Sequence, residues 1–463
     1  MPAIRDRPGT GHLQGIVVMG LRRQGIRAGL VAGAAVIMAA GVAAPALASV
    51  SATPASGTPQ LYPNGTTETV RQLVQCGATM YAVGTFTQIQ QGASGPVYTR
   101  NNVFSFSATS PFTITSWAPN VNGTVNTIAF NGTSCSTAYI GGKFSSVNGS
   151  PATNIAAIST SNGALVTGFA HSASGQVETI ASHGGHLLTG GYFTSINGSS
   201  AHKYMASLNP STGKDDGFVN MNISGNYQYC NSSGTQCAAS NGTRVYNQQI
   251  SHGGTLDLVE GDFTSAGGRA RQQIFMLNLS GTTAAVTGWT SSEFNEHCWF
   301  SEPFYLRAAS WSPDDSTVYI ATTGFHLYNW NGSYPLTGIC DVAGAYPATQ
   351  ASVSHNWLNY TGCDSLYATT ADSSTAYFGG HERWSQNPNG CDFQGTGGIT
   401  APGMEGLSPS NGLLTFNPTR SRGNGADDML VTGAGLWIAS DNYQNSVMCG
   451  GVSGHAGICF LPS

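Results

Sequence analysis

One short phrase recurs seven times along this 463-residue chain. It reads AVGTF at 82–86, IGGKF at 140–144, TGGYF at 189–193 and VEGDF at 259–263. Weaker copies end at Phe325 (ATTGF), Glu382 (FGGHE) and Asn442 (IASDN), so successive endpoints lie 58, 49, 70, 62, 57 and 60 residues apart. A period near sixty with strand-forming residues and no helical pattern makes each copy one sheet that cannot bury its faces alone. Four-stranded blades set around an axis solve that problem. The expected fold is therefore all-β: a seven-bladed β-propeller of four-stranded antiparallel blades, formed as one domain over residues 61–463.

The third copy lays out one blade. Val177, Thr179 and Ile180 belong to a short strand, Gly184-Gly185 to a turn, and His186 opens a second strand ending near Phe193. Asn197-Gly198 turns the chain, Met205 and Leu208 mark a third strand, and Asn209-Pro210 leads to a fourth ending near Phe218. Gly, Asn and Pro fall where a turn needs positive or fixed φ. A companion aromatic recurs as Trp117, Phe169, Phe218, Trp289 and Phe416, placed to fill the gap between adjacent blades.

The pattern GGxF-x-x-x-NG followed by A-x-LNP-x-TG and Phe resembles the delta-60 repeat, a bacterial propeller family of unknown function. Copies two and three (IGGKFSSVNG, TGGYFTSING) match closely, and five to seven only in outline. The resemblance implies a propeller and a bacterial origin, and transfers no catalytic residue.

The first fifty residues are of another kind. Arg22, Arg23 and Arg27 precede the apolar run 28–44, and Ala46-Leu47-Ala48 closes it. A charged region, an apolar region and an A-x-A site make residues 1–48 a signal peptide. The true start could be Met19. The competing reading, a membrane anchor, needs a run of about 20 residues, longer than this one. Arg22-Arg23 leaves general and twin-arginine export both open. Residues 49–60 read as a flexible lead-in, and segments 61–73 and 458–461 as the strands that close the ring.

Only 8% of residues are charged, against the roughly 25% of ordinary domains. Lysine occurs only at Lys143, Lys203 and Lys214, so no basic stripe can neutralise nucleic-acid phosphates. Cleavage after Ala48 would shift net charge from −5 to −9. All ten cysteines follow that site, and an even count in an exported chain argues for disulfides. Cys230/Cys237 and Cys449/Cys459 would staple short loops, and Cys76/Cys135 occupy equivalent places in neighbouring repeats. No C-x-x-C zinc spacing occurs, and neither a metal nor a cofactor is expected.

Two places could carry function. Equivalent positions near the start of each innermost strand would surround the axis: Arg71, Asn126, Glu178, Asn247, Arg307, Asp364 or Ser365, and Asp428. They read either as the polar lining of a water-filled channel or as a ligand site at its mouth. The second place is Gly379-Gly380-His381-Glu382-Arg383-Trp384, where Glu382 replaces the repeat's Phe. Arg420, Arg422, Asp428, Asp441 and Asn442 follow in sequence. This group reads either as a buried ion-pair cluster between blades six and seven, or as a polar site. In the second case Arg383 or Arg420 would clamp a carboxylate and Trp384 would stack on a sugar. A catalytic version would use His381 or Glu382 as base. Long segments 220–244, 290–303, 341–362 and 382–402 should form one wall on one rim.

The expected function is that of a secreted, monomeric binding module for an extracellular glycan, cell-wall polymer or protein, without nucleic acid and without a membrane span after cleavage. The alternatives are a polysaccharide lyase or hydrolase around His381, Glu382 and Arg383, and a purely structural cell-surface protein.

Overall fold

The computed structural model describes residues 49–463 apart from 228–232, 234, 236–241, 296–297, 299–304, 327–333, 350, 424 and 444–447. Segment 1–48, expected to be a signal peptide, and the expected Cys230/Cys237 staple lie outside the described residues. No helix among the described residues is long and apolar enough to cross a membrane.

The described chain is all-β, its one helical element being the single 3-10 turn Ser292–Asn295. Seven sheets follow the repeats, and their first strands are Thr69–Cys76, Thr124–Asn131, Val177–His183, Arg244–Ile250, Leu306–Trp311, Leu366–Ala371 and Ala426–Thr432. Sheets four, five and six have four antiparallel strands. Sheets one to three have three, each prolonged by a single bridge: Phe106 to Ile114, Ile158 to Leu165, Leu208 to Asp215.

The apolar core is divided among the junctions between successive sheets. Tyr81, Trp117, Phe130 and Ile140 pack between sheets one and two, and Phe169, Val177 and Leu208 between two and three. Equivalent clusters follow around to Val70, Phe106, Trp437 and Phe460, which join sheet seven to sheet one. This cyclic succession is a β-propeller arrangement. Each buried aromatic contributes about 1.5–3 kcal/mol relative to exposure. The Trp117 indole also donates to Ser159 O in sheet two at 3.0 Å, the bridging role that its recurrence predicts.

The repeat's two glycines have distinct jobs. A Cβ on Gly190 would lie 2.6 Å from Val245 Cγ1 of the next sheet and 2.8 Å from Thr179 Cγ2 of its own. A Cβ on Gly191 would lie 2.3 Å from Gln176 O, where the second strand presses on the first. The phenylalanine that ends the phrase is core: Phe86, Phe144, Phe193 and Phe263 are all buried.

The outer edge of sheet seven departs from expectation. Ser51 N and Ala55 N donate to Pro462 O and Phe460 O at 2.7 and 2.9 Å, and Leu61 N donates to Ala456 O at 2.9 Å. The segment expected as a flexible lead-in is thus tied along the last strand, Ile458–Pro462, with Val50, Thr58 and Gln60 buried. Segment 61–73, expected as the closing strand, is split instead between a small side sheet and the first strand of sheet one.

Four disulfides join the eight described cysteines. Cys76–Cys135 and Cys449–Cys459 pair as their positions predict, and Cys298–Cys340 and Cys363–Cys391 complete the set. Segment 341–362 is not the long loop expected. It holds Val342–Pro347 and Trp357–Tyr360, the two outer strands of sheet five, the first buried along nearly its whole length and the second at alternate residues. Segment 382–402 is folded too, with Trp384–Ser385 paired to Ile399–Thr400.

Candidate functional site

Every first strand carries a β-bulge near its start. The pairing with the second strand slips between Val70 and Gln72, Val125 and Thr127, Val177 and Thr179, and Val245 and Asn247. It slips again between Leu306 and Ala308, Leu366 and Ala368, and Ala426 and Asp428. A bulge leaves one residue unpaired and re-aims its side chain. The seven residues left over are Arg71, Asn126, Glu178, Tyr246, Arg307, Tyr367 and Asp427. All seven line one cavity of about 90 Å³.

This chamber gathers charge in a chain that has little. Glu178 Oε2 accepts from Asn126 Nδ2 at 2.9 Å. Asp427 Oδ1 lies 3.9 Å from Arg307 Nη2, and Arg307 keeps 28% of its side chain exposed toward the chamber. Burial raises the Asp427 carboxyl to about 6 against the pull of Arg307 and Arg71. Burial raises Glu178 as well, opposed by Arg307, Arg244 and Arg71. Arg307 itself is raised: burial disfavours its charge, but Tyr305, Asp427, Glu178 and Tyr367 outweigh it.

Several chamber groups have no protein partner. Arg71 Nε and Asp427 Oδ2 are sealed from solvent and unbonded. Above the chamber, Arg244 is sandwiched between the rings of Tyr192 and Tyr246, 4.1 Å from each, and Tyr246 stacks on Tyr305 at 5.1 Å. The chamber shares Gln72, Gln249, Thr369 and Asp428 with a cavity of about 440 Å³ at the far ends of the first strands. On the other side it shares Tyr367 with one of about 300 Å³.

The sequence placed Arg71, Asn126, Glu178 and Arg307 on this ring, where they lie. Three positions are shifted. Tyr246 rather than Asn247, Tyr367 rather than Asp364 or Ser365, and Asp427 rather than Asp428 occupy the bulges. Asn247 also lines the chamber while its Nδ2 donates to Glu260 at 3.1 Å, and Ser365 bonds Asp341 at 2.8 Å. Asp428 borders the chamber while accepting from Leu73 N of sheet one at 2.9 Å.

The second candidate group separates into three. Asp364, a residue whose role the sequence did not reveal, is the hub of one. It accepts Arg383 Nε at 2.7 Å, Arg383 Nη2 at 2.8 Å and Arg422 Nη2 at 3.0 Å. Arg383 also reaches Asp392 at 2.5 Å and lies 4.3 Å over the Trp384 ring. The Cys363–Cys391 bridge adjoins both aspartates. His381 Nδ1 sits 2.6 Å from Gly423 O, and burial lowers its pKa. Glu382 forms a second group with Glu405. Both are fully buried, their carboxyl oxygens are unpartnered, and burial raises Glu405 to about 7 and Glu382 well above the ordinary value. Glu382 lines none of the cavities described above. Arg420 makes the third group: it is buried, bonded to Ser440 Oγ, and its pKa is lowered to about 10 by burial. Asp441 nearby pulls that pKa upward and is bridged to Thr69 of sheet one. No group of acidic, His or Cys residues among those described could hold a metal.

No protein-family model matches the chain, and no curated protein does. Among solved structures it is similar to the WD40 β-propeller domain of Doa1, at 10% identity over 87% of this chain and 96% of that one, with TM-score 0.40. It is also similar to the computationally designed Ika8 protein, at 8% identity over 88% of this chain and all of that one, with TM-score 0.42.

Proposed function

We propose that this chain is an exported, disulfide-stabilised, seven-bladed propeller of the kind the delta-60 resemblance implies, and that it acts as an extracellular binding module. Each of the seven sheets is one four-stranded blade, with segment 51–55 supplying the last strand of blade seven. The signal-peptide pattern of residues 1–48 and the four disulfides support export. The partner is a glycan, a cell-wall polymer or a protein, and the axial chamber is where its polar end is read.

One observation carries this reading: the bulges turn the polar side chains of Arg71, Asn126, Glu178, Arg307 and Asp427 into one cavity, where Arg71 and Arg307 donate no hydrogen bond to a described residue. Buried polar groups are satisfied as a rule, so such groups around a cavity mark a place for water or ligand. The lyase or hydrolase alternative loses Glu382, which is buried away from the cavities, and keeps only His381, which lines the 300 Å³ cavity with Nδ1 against Gly423 O. The test is retention of the oxidised protein on insoluble glycans and cell-wall polymer, with wild type compared against Tyr367→Phe and Asn126→Ala. Retention that both variants weaken supports the axial reading. Retention that neither variant alters moves the site elsewhere.

A further inference from the structure

The described arginines differ in what their guanidinium groups meet. Arg100 and Arg271 each end on two backbone carbonyls, at 2.7–2.8 Å. Arg383 and Arg422 end on Asp364. Arg71 and Arg307 donate no hydrogen bond to a described residue, and the ion pair of Arg307 with Asp427 is 3.9 Å long. Yet both line the same 90 Å³ chamber, from sheets one and five. A guanidinium presents five donors in a fixed fork, a geometry that matches carboxylate and phosphate oxygens.

We infer that the axial chamber takes an oxyanion, a carboxylate or phosphate carried on a small polar molecule or chain end, with Arg71 and Arg307 as its clamps. This rests on the axial reading given above and names the chemistry of its ligand. The phenol hydroxyls of Tyr246 and Tyr367, hydrogen-bonded to none of the described residues, add two donors around the same space. Burial raises the chamber carboxyls toward their neutral form, Asp428 to about 7 and Glu178 in the same direction, so they oppose an anion less under mildly acidic conditions. Glu178 holds Asn126, and Asp428 holds the Leu73 amide. Asp427 lines the chamber with Oδ1 3.9 Å from Arg307 and, once protonated, can donate a hydrogen bond to the anion there. The charged groups acting on Asp427 are Arg307, Arg71, Asp441, Arg420 and its neighbour Asp428, and with its carboxyl raised to about 6 it protonates under mildly acidic conditions. The 440 Å³ cavity that adjoins the chamber leaves room for the rest of the molecule.

Calorimetric titration of the oxidised protein at pH 5.5 with galacturonic acid, galactose and inorganic phosphate tests this. The expected result is binding of galacturonic acid or phosphate, no binding of galactose, and at least tenfold weaker binding in Arg71→Gln and in Arg307→Gln. Which anion binds tells a carboxylate from a phosphate source. Should the variants fail to fold, wild type alone decides: binding at pH 7.5 should be at least threefold weaker than at pH 5.5. Galactose binding as tightly as galacturonic acid, or anion binding that ignores pH and both arginines, would overturn the oxyanion assignment while leaving the axial reading to the retention test. Binding of none of the three overturns the assignment outright.

Discussion

Arg383 grips Asp364 through both ends of its fork, Nε to Oδ2 at 2.7 Å and Nη2 to Oδ1 at 2.8 Å. The carboxylate is almost wholly buried, while its two arginine partners keep about a quarter to a third of their side chains exposed. Asp364→Asn should therefore cost about 1–3 kcal/mol, below the range for a fully buried pair because solvent screens the cations. Thermal unfolding measures it, and a double-mutant cycle with Arg383→Gln should return a positive coupling. Additive losses would show that the two residues do not act as a pair.

Stability should fall as pH rises from 6.5 to 8.5. Asp428 and Glu405 are raised to about 7, Glu260 to about 8 and Glu382 well above its ordinary value, with burial the leading cause for each. In that window the folded chain holds protons that the unfolded chain has lost, so the unfolding free energy declines with pH. His326 and His455, both lowered to about 4 by burial, act in the opposite sense, but only below about pH 6.5. Chemical denaturation at intervals of half a pH unit would reveal the slope, and Glu405→Gln should flatten it by roughly 1 kcal/mol across the window. A level profile would mean that these carboxyls stay ionised in the folded protein.

Gly190→Ala should destabilise by about 1–3 kcal/mol, because the added methyl meets Val245 across the sheet junction. Pairing it with Val245→Ala should recover part of that loss. If Gly190→Ala unfolds at the wild-type temperature, neighbouring sheets are not in contact at this glycine.

Removing Cys76–Cys135 should cost more than removing Cys449–Cys459. The first closes a separation of 59 residues and the second one of 10, so loop entropy assigns about 4 and about 3 kcal/mol. Paired Cys→Ala variants, compared by denaturant midpoint, would order the two. Equal losses would place the benefit in local packing instead.

The sequence carried the fold further than it carried the site. The spacing of Phe86, Phe144, Phe193 and Phe263 marks the second strands, because large buried side chains recur wherever a junction must be filled. The ring around the axis was read one residue late at Tyr246 and Asp427, and three or two residues early at Tyr367. Counting from the glycine phrase assumes regular pairing, and an extra unpaired residue in each first strand leaves no compositional trace. The group after Gly379-Gly380 looked like one site because Arg383, Arg420 and Arg422 lie close in sequence. Arg420 sits on an isolated bridge to Cys449 and turns to Ser440, while Arg422, in the irregular segment beyond it, reaches Asp364.

The bulges hold the ring by backbone geometry, whatever side chain happens to stand there. Arginine, asparagine, glutamate, tyrosine and aspartate all occupy that position in this one chain, each with its packing neighbours on either side intact. Seven such positions make a binding surface that can be rewritten one residue at a time, so a change of ligand need not disturb the junctions that keep the molecule folded.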